Sequence, residues 1–467
     1  MANTRVIVVG SGLAGLSAAS MLVAHHVPVL LLERSAKPGG NSIKASSGIS
    51  GAPTRFQGEV KDSVELFTAD TIRSVGSIIN HNKSEREHLV RELTGKSSGA
   101  IEWLSTEMGV DLTHITQLGG HSRARTHRGS GKTPPGFAII NALLKNLQQH
   151  SIFELRGESE VSGLVHDHDG LVTGVRYQRA GATEELEKGP VIFTTGGFAG
   201  DIKGLLREYR PDLGNIPSTN ESRPGMHKLL TEIGANLVDM ELVQIHPTGF
   251  IDPSDKNNTH KFLAAELLRG EGGILVDRQG KRFINELATR REITDVIMRT
   301  DSFCEDPRQW DVQIVLDENT YQAAKSHVDF YMSKGLMRRI KAADMEPSVR
   351  AEIRSYGEIV LGASTDPFGR TAFGNWSGKS GSGDEECFYI GNVTPVVHFT
   401  MGGVSINTDA EVLKKDGTPI RGLWAAGEIT GGIHGQNRLG GNSLLECVVF
   451  GRKAGENAAK WLSSRNQ

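Results

Sequence analysis

Cysteine is scarce in this chain. Cys304, Cys387 and Cys447 are the only three in 467 residues, far apart and odd in number. That spacing excludes a disulfide framework and the clustered thiolates of zinc and iron–sulfur sites, and it suits a reducing compartment. A surplus of either charge is also missing. The 52 Lys and Arg residues nearly balance 55 Asp and Glu, a formal net charge of −3, so no global field draws the chain to nucleic acid or to an anionic membrane. No apolar run approaches the roughly 20 residues needed to cross a bilayer. The first strand pattern starts within a few residues of Met1, leaving no room for a signal or transit peptide. A soluble, cytoplasmic protein of two or three domains is expected.

Glycine, by contrast, is abundant at 56 residues, as expected where backbone must approach an extended cofactor. The chain opens on Val6-Ile7-Val8-Val9-Gly10-Ser11-Gly12-Leu13-Ala14-Gly15, and the next apolar run, Val29-Leu30-Leu31-Leu32, ends on Glu33 and Arg34. This reads as a buried strand, a glycine turn, a helix and a second parallel strand closed by a carboxylate, a dinucleotide-binding unit. Gly10 allows the tight turn, Gly12 admits a pyrophosphate to the backbone, and Gly15 lets helix and strand pack closely. Leu13 and Ala14 open the helix, whose free N–H groups and positive end favour phosphate. Glu33 is spaced to accept from ribose hydroxyls.

Small polar residues follow, Gly39-Gly40-Asn41-Ser42 and then Lys44-Ala45-Ser46-Ser47-Gly48, a composition suited to lining a cofactor rather than filling a core. A helix-rich stretch is expected from about 63 to 108. Val161 to Tyr177 reads as a hairpin turning at Asp169-Gly170. Val191-Ile192-Phe193-Thr194-Thr195-Gly196-Gly197 is a strand ending in glycines that would lie against a cofactor. Between about 241 and 399 the texture changes. This part holds a histidine- and arginine-rich stretch, a charged helical region (Met332 to Tyr356) and a Gly/Ser-rich loop, Gly374 to Asp384, expected to be exposed and mobile. Strand texture returns at Gly422 and ends on Gly427-Glu428, before a last helix over 440–462. The simplest arrangement is an α/β architecture. A discontinuous Rossmann-like cofactor domain (1–240 and 400–467) would carry an inserted α+β clamp or capping domain (241–399).

The last helix distinguishes a flavin from a nicotinamide. A flavin needs donors and positive potential beside its pyrimidine ring when reduced, and Asn442-Ser443-Leu444-Leu445 offers main-chain N–H groups at a helix start. Capping by Asn442 or Ser443 is an alternative use of the same residues. FAD is the cofactor expected. Several further stretches then resemble the soluble FAD-dependent fumarate reductases of fungi: Gly-Gly-Asn-Ser-Ile-Lys-Ala-Ser-Ser-Gly (39–48), Gly-Gly-His-Ser-Arg-Ala-Arg-Thr-His-Arg (119–128), His-Pro-Thr-Gly-Phe (246–250) and Ala-Ala-Glu-Leu-Leu-Arg-Gly (264–270). So do Arg-Phe-Ile-Asn-Glu-Leu-Ala-Thr-Arg (282–290), His-Phe-Thr-Met-Gly-Gly (398–403) and Gly-Gly-Ile-His-Gly-Gln-Asn-Arg-Leu-Gly-Gly-Asn-Ser (431–443). The wider family includes the flavoprotein subunits of succinate dehydrogenase, L-aspartate oxidase, urocanate reductase and ketosteroid dehydrogenases.

The resemblance implies reduction of fumarate to succinate, with hydride from flavin N5 reaching one alkene carbon and a proton its neighbour. It assigns the substrate carboxylates to His246, His398 and Arg438, with Gly441 beside them. It assigns the proton to Arg290, resupplied through Glu266 and Arg269. A guanidinium matches a carboxylate in bidentate fashion. Because arginine is effectively never deprotonated, Arg290 must lose its proton only as another arrives. Glu266 and Arg269, three apart, share a face if that turn is helical. The cluster His121-Arg123-Arg125-His127-Arg128 is expected to be a solvated or ion-paired face without a catalytic role, and His25, His26, His166 and His168 are expected at the surface. No histidine lies between Gly39 and Ala52, where succinate dehydrogenase flavoproteins bond their flavin, so FAD is expected to be non-covalent. Electrons would come from an external donor such as a reduced flavin. Three departures stand out: Arg291 where relatives usually carry Asp, Ser50 where they tend to carry Asn, and Thr219 to Met226 in place of a segment ending Thr-Gly-Asp-Gly. Reduction of another enoate such as urocanate, an L-aspartate oxidase-like activity, and a flavin-binding protein with little catalysis are the other readings.

Overall fold

The computed structural model describes residues 5–131, 133–179, 182–379, 381 and 383–465. Val6–Val9 and Val29–Leu32 are apolar and buried at every position, the signature of strands covered on both faces of a parallel sheet. They lie in the middle of a six-stranded sheet ordered Glu411–Leu413, Pro419–Ala425, Val191–Phe193, Val6–Val9, Val29–Leu32 and Phe153–Arg156. Every pairing is parallel except at the Glu411–Leu413 edge. A strand from the end of the chain thus completes a sheet begun at its start, and the α/β fold is as expected.

The helices Leu13–Ala24 and Asn442–Arg465 pack against each other beside this sheet. Glycine makes the approach possible. A side chain at Gly15 would begin 2.0 Å from the Gly10 carbonyl oxygen, and one at Gly10 would begin 2.5 Å from that of Thr194. Gly451 and Gly455 do the same for the last helix, meeting the carbonyl oxygens of Ala14 and Ala18 at 2.5 and 2.4 Å from an added Cβ.

Residues 243–400 build a second, antiparallel sheet ordered Val243–Phe250, Cys387–Thr400, Val312–Leu316 and Ile274–Asp277. Its register shifts between His246 and Gly249, where Pro247 has no N–H for the ladder. His246 faces Val396, so His246 and His398 are diagonal neighbours on adjacent strands. This sheet has its own apolar cores, one containing Phe250, Trp310 and Tyr331, another Tyr356, Trp376 and Phe388.

The helices Val64–Val75, Lys83–Gly95 and Ser97–Glu102 fill the expected helix-rich stretch, and the hairpin Ser159–His166 with Val172–Arg179 turns near Gly170. Two expectations are corrected. The charged stretch from Met332 to Tyr356 is not one helical region. After the helix Lys325–Ser333 the chain breaks at Gly335 (φ 71°) and forms a strand, Arg338–Lys341, before the helix Pro347–Val360. The unpaired edge of Cys387–Ile390 captures Arg338–Lys341 as a partner, and tertiary pairing overrides helix propensity. The loop from Gly374 to Asp384 is anchored in its first half. Trp376 is 4% exposed, Asn375 donates to the Glu271 carboxylate and the Ser377 N–H to Asp317; Ser380 and Ser382 of that loop lie outside the described residues. Among the described residues no helix is long and apolar enough to cross a membrane, and no group of His, Cys, Asp and Glu is arranged to hold a metal ion.

Candidate active site

A cleft of about 850 Å³ opens at the carboxyl ends of the parallel strands, between the two sheets. Open α/β sheets bind their ligands at this place. Its wall contains most residues expected to hold the cofactor. Gly10, Gly12, Leu13 and Ala14 come from the first turn, and Glu33 and Arg34 from the end of the second strand. Gly40, Asn41, Ser42, Ala45, Ser46 and Gly48 form one long lip; Thr195, Gly196, Gly197 and Glu428 close the floor, with Ser443 and Leu444 at the start of the last helix. Glu33 is held rigidly: one carboxylate oxygen accepts the Ser11 N–H and hydroxyl at 3.0 and 2.5 Å, the other the Ser35 N–H at 2.8 Å.

Three of the expected cofactor residues lie behind the wall. Gly15 serves helix–strand packing, as its steric limit requires. The N–H of Asn442 is taken by the Leu439 carbonyl at 3.2 Å and that of Leu445 by Gly441 at 3.3 Å. Neither main-chain donor is therefore free for a flavin, and the expectation narrows to Ser443 and Leu444. The Asn442 side chain is a different matter, since its Oδ1 and Nδ2 are both buried without a partner, as is Thr195 Oγ1. Unsatisfied buried polar atoms are costly and signal an absent partner. With the bare backbone of Gly196 in the cleft wall, where an added Cβ would meet nothing within 4 Å, they fit an extended cofactor such as FAD.

The far end of the cleft is cationic. Arg290, His398, Arg438 and Gly441 line it, whereas His246, Glu266 and Arg269 stand directly behind. Arg290 is the first residue of the helix Arg290–Met298, which starts with a capping box between Thr289 and Glu292 that fixes its entry angle. Its Nε and Nη2 donate to one oxygen of Glu266 at 2.7 and 2.5 Å, and Nη1 is buried without a partner. The other Glu266 oxygen accepts the Gly119 N–H at 2.9 Å. Burial pushes the Glu266 carboxyl upward, but Arg290 and Arg269 outweigh it and hold the group at about 2.

Arg269 lies in the short helix Leu267–Gly270, one face with Glu266 as the spacing requires. It makes no hydrogen bond to Glu266: its Nη1 donates to the Glu286 carbonyl at 2.7 Å, and Nε and Nη2 have no partner. The expected relay is therefore hydrogen-bonded from Arg290 to Glu266 and only electrostatic from Glu266 to Arg269. Beneath it, Glu286 binds Arg282 and Arg370 in a buried ionic network that extends to Asp366, unanticipated in the sequence.

Arg438 stacks over Phe399 at 4.3 Å, its N–H donates to Gln244 and its Nη1 to the Leu439 carbonyl, and Nε is unpartnered. Burial and then Arg290 lower Arg438 to about 9, and burial with opposing help from Glu266 lowers Arg269 to about 10. His246 and His398 are pushed well below 6.5 by burial and by Arg290, so both are neutral. Their rings meet edge to face at 5.4 Å. Glu428 is raised to about 7 by burial and Glu446, against the Thr400 N–H and Arg438.

The basic cluster is ion-paired structure, as expected. Arg125 is fully buried between Asp62 and Asp70, Arg128 pairs with Glu271, and His121 binds the Gly440 carbonyl at 2.9 Å. His25, His26, His166 and His168 are exposed. The departures are also resolved. Arg291 projects into solvent near Asp295 at 3.7 Å, away from the cleft. Ser50 donates to the Gly440 carbonyl at 2.9 Å, tying the lip to the loop before the last helix. The segment from Thr219 spans the cleft mouth. Asn41 donates to Asn220, Lys44 pairs with Glu221 at 3.0 Å, and Arg223 reaches Ser35, while Thr219 and Asn220 both hold His398.

A chain with this parallel sheet, this glycine turn and this cleft is an FAD-dependent oxidoreductase by architecture. It belongs to the FAD binding domain family, whose model matches residues 5–444. It is 44% identical to fumarate reductase 1 of Saccharomyces cerevisiae, across 98% of this chain and 99% of that one. To the fumarate reductase of Schizosaccharomyces pombe it is 39% identical, across 99% and 91%. Among solved structures it superposes on the open conformation of a flavocytochrome c3 fumarate reductase with a TM-score of 0.74 and 31% identity, covering 98% of this chain and 78% of that one.

Proposed function

We propose that this chain reduces fumarate to succinate in the cytoplasm, with non-covalent FAD and an external electron donor such as a reduced flavin. One observation carries the reading. Where the FAD-fitting cleft ends, the guanidiniums of Arg290 and Arg438 line it with Arg269 close behind, and of the three only Arg290 is hydrogen-bonded to a carboxylate, Glu266, which leaves positive charge for an anionic substrate. Arg290 Nη1, Arg438 Nε and His246 Nε2 are buried there without partners, donors suited to several acceptor oxygens.

When bound, FAD supplies the hydride to one alkene carbon. The chain's own residues do the rest. Arg438, His398 and His246 hold the carboxylates and draw charge toward them as the neighbouring carbon becomes basic. Arg290 Nη1 gives that carbon its proton, and Glu266, ionised at rest and bonded to the same guanidinium, restores it by passing on one proton taken up from solvent on the Arg269 side, with Arg269 setting the local potential. Residues 1–240 and 400–467 act as the cofactor domain and 241–399 as a clamp whose closure excludes water. Urocanate carries one carboxylate and would leave one of the two guanidiniums that line the cleft end, Arg290 or Arg438, without an anion. Steady-state reduction of fumarate and urocanate with one chemically reduced dye tests the reading. It expects fumarate to be preferred in kcat/KM by at least about a hundredfold, the worth of one charged hydrogen-bonded pair; a preference for urocanate would overturn it.

A further inference from the structure

The two cleft histidines are neutral, so each carries a single ring proton, and its position decides whether the ring attracts or repels a carboxylate. His398 Nδ1 lies 2.9 Å from the Thr219 hydroxyl oxygen. That hydroxyl has one proton and two possible acceptors, Nδ1 and the Val397 carbonyl. The Val397 carbonyl is 3.5 Å away and already accepts the Thr219 N–H at 3.0 Å, with the Ser218 hydroxyl also within 3.2 Å. The shorter, unsatisfied partner is Nδ1. His246 differs: its Nδ1 lies 3.2 Å from both the Thr248 N–H and the Thr248 carbonyl, which also accepts the Ala264 N–H at 3.0 Å, and its Nε2 is left without a partner.

We propose that Thr219 is a positioning residue. Its hydroxyl donates to Nδ1 of His398 and holds that uncharged ring as an Nε2–H donor toward a substrate carboxylate. This inference rests on the fumarate reading of the site. It gives the divergent segment at the cleft mouth, Thr219 to Met226, a purpose. Asn220 donates to the His398 carbonyl at 2.8 Å and accepts from Asn41 at 2.6 Å, so the segment that bears Thr219 is tied both to the strand of His398 and to the cofactor lip. The charged and titratable groups facing His398 are Arg290 from its helix, Arg438 from the loop before the last helix and His246 from the adjacent strand. The two guanidiniums oppose protonation of the ring. A substrate carboxylate would otherwise have to bring a proton in with it.

The test uses Thr219→Val, which keeps the shape and removes the hydroxyl, and Thr219→Ser, which keeps the hydroxyl. Both are assayed as FAD-loaded enzyme with dithionite-reduced methyl viologen as donor. In the wild type any slope of the fumarate KM between about pH 6 and 8 is that of Glu428, raised to about 7 in the same cleft, since no histidine titrates on binding. In Thr219→Val the KM rises about tenfold at neutral pH, the cost of one lost hydrogen bond at a buried group, and rises further with pH, while kcat stays within about threefold. Thr219→Ser restores both the KM and its wild-type pH profile. An unchanged KM in Thr219→Val, or a loss that Thr219→Ser fails to repair, would overturn the assignment. Nitrogen-15 NMR of histidine-labelled wild-type holoenzyme reads the tautomer independently of turnover: Nδ1 of His398 without a proton supports the proposal, and a protonated Nδ1 overturns it. A wild type that does not reduce fumarate at all sinks the fumarate reading instead, and the NMR result separates the two failures.

Discussion

Arg290 commits two of its three guanidinium nitrogens to a single oxygen of Glu266 and leaves Nη1 buried and unpartnered. Two-pronged pairing fixes the plane of the guanidinium, and the fixed plane aims the remaining N–H. A proton donor that cannot swing needs no water to orient it.

Arg290→Gln keeps the size of the side chain and removes the transferable proton. Turnover of fumarate should fall by about a thousandfold or more, the scale of general-acid catalysis, while the FAD content of the purified protein stays near one per chain. Arg290→Lys should not rescue it, since an ammonium cannot bind Glu266 through two nitrogens and still aim a third. Rates within tenfold of wild type in either variant would remove Arg290 from the proposed role.

Arg438→Ala should act on binding as well as rate. A desolvated carboxylate that loses a charged partner weakens by about 2 kcal/mol or more, so the fumarate KM should rise at least about thirtyfold. A fall in kcat with unchanged KM would show that Arg438 touches no ground-state carboxylate.

Arg291→Ala should leave kcat and KM within about twofold of wild type. The side chain lies on the solvent face of its helix beside Asp295, and exposed i, i+4 pairs contribute only tenths of a kcal/mol. A large change in substrate affinity would mean that its charge is felt inside the cleft.

Several histidines are buried uncharged. His121, His127 and His227 are held at about 4, each first by burial. The unfolded chain protonates them near 6.5. Between about pH 6.5 and 4 the unfolded state therefore binds more protons, and stability falls as pH falls. Each such histidine costs up to about 1.4 kcal/mol per pH unit in that window. Thermal midpoints should drop steeply from pH 7 to pH 5, and His227→Asn, at a ring whose two nitrogens have no partners, should show a smaller drop. An equal drop in the variant would deny His227 a share in the acid lability.

Much of this architecture is legible in the residues themselves. Val6 to Gly15 announces strand, turn and helix because parallel strands are apolar throughout and because only glycine fits two successive close approaches. The cationic end of the cleft is legible from motif resemblance, but its wiring is not. Nothing local says that the Gly119 N–H completes Glu266, or that Glu286 carries Arg269 on a buried network, because those contacts join residues far apart in sequence. Arg338–Lys341 hides for the same reason: a charged run has no strand signature until the edge beside it is known. The Asn442 and Leu445 N–H groups look free at a helix start until the tight turn through Leu439 and Gly441 takes both.

The central claim is that bound FAD and a dianion meet at Arg290, Arg438 and His398. Its most direct test is a single anaerobic turnover. The purified yellow protein is reduced, excess reductant is removed and fumarate is added. The account predicts that the oxidised flavin absorption returns within seconds and that one succinate appears per FAD. A flavin that stays reduced in the presence of fumarate, with the cofactor still bound, would contradict it.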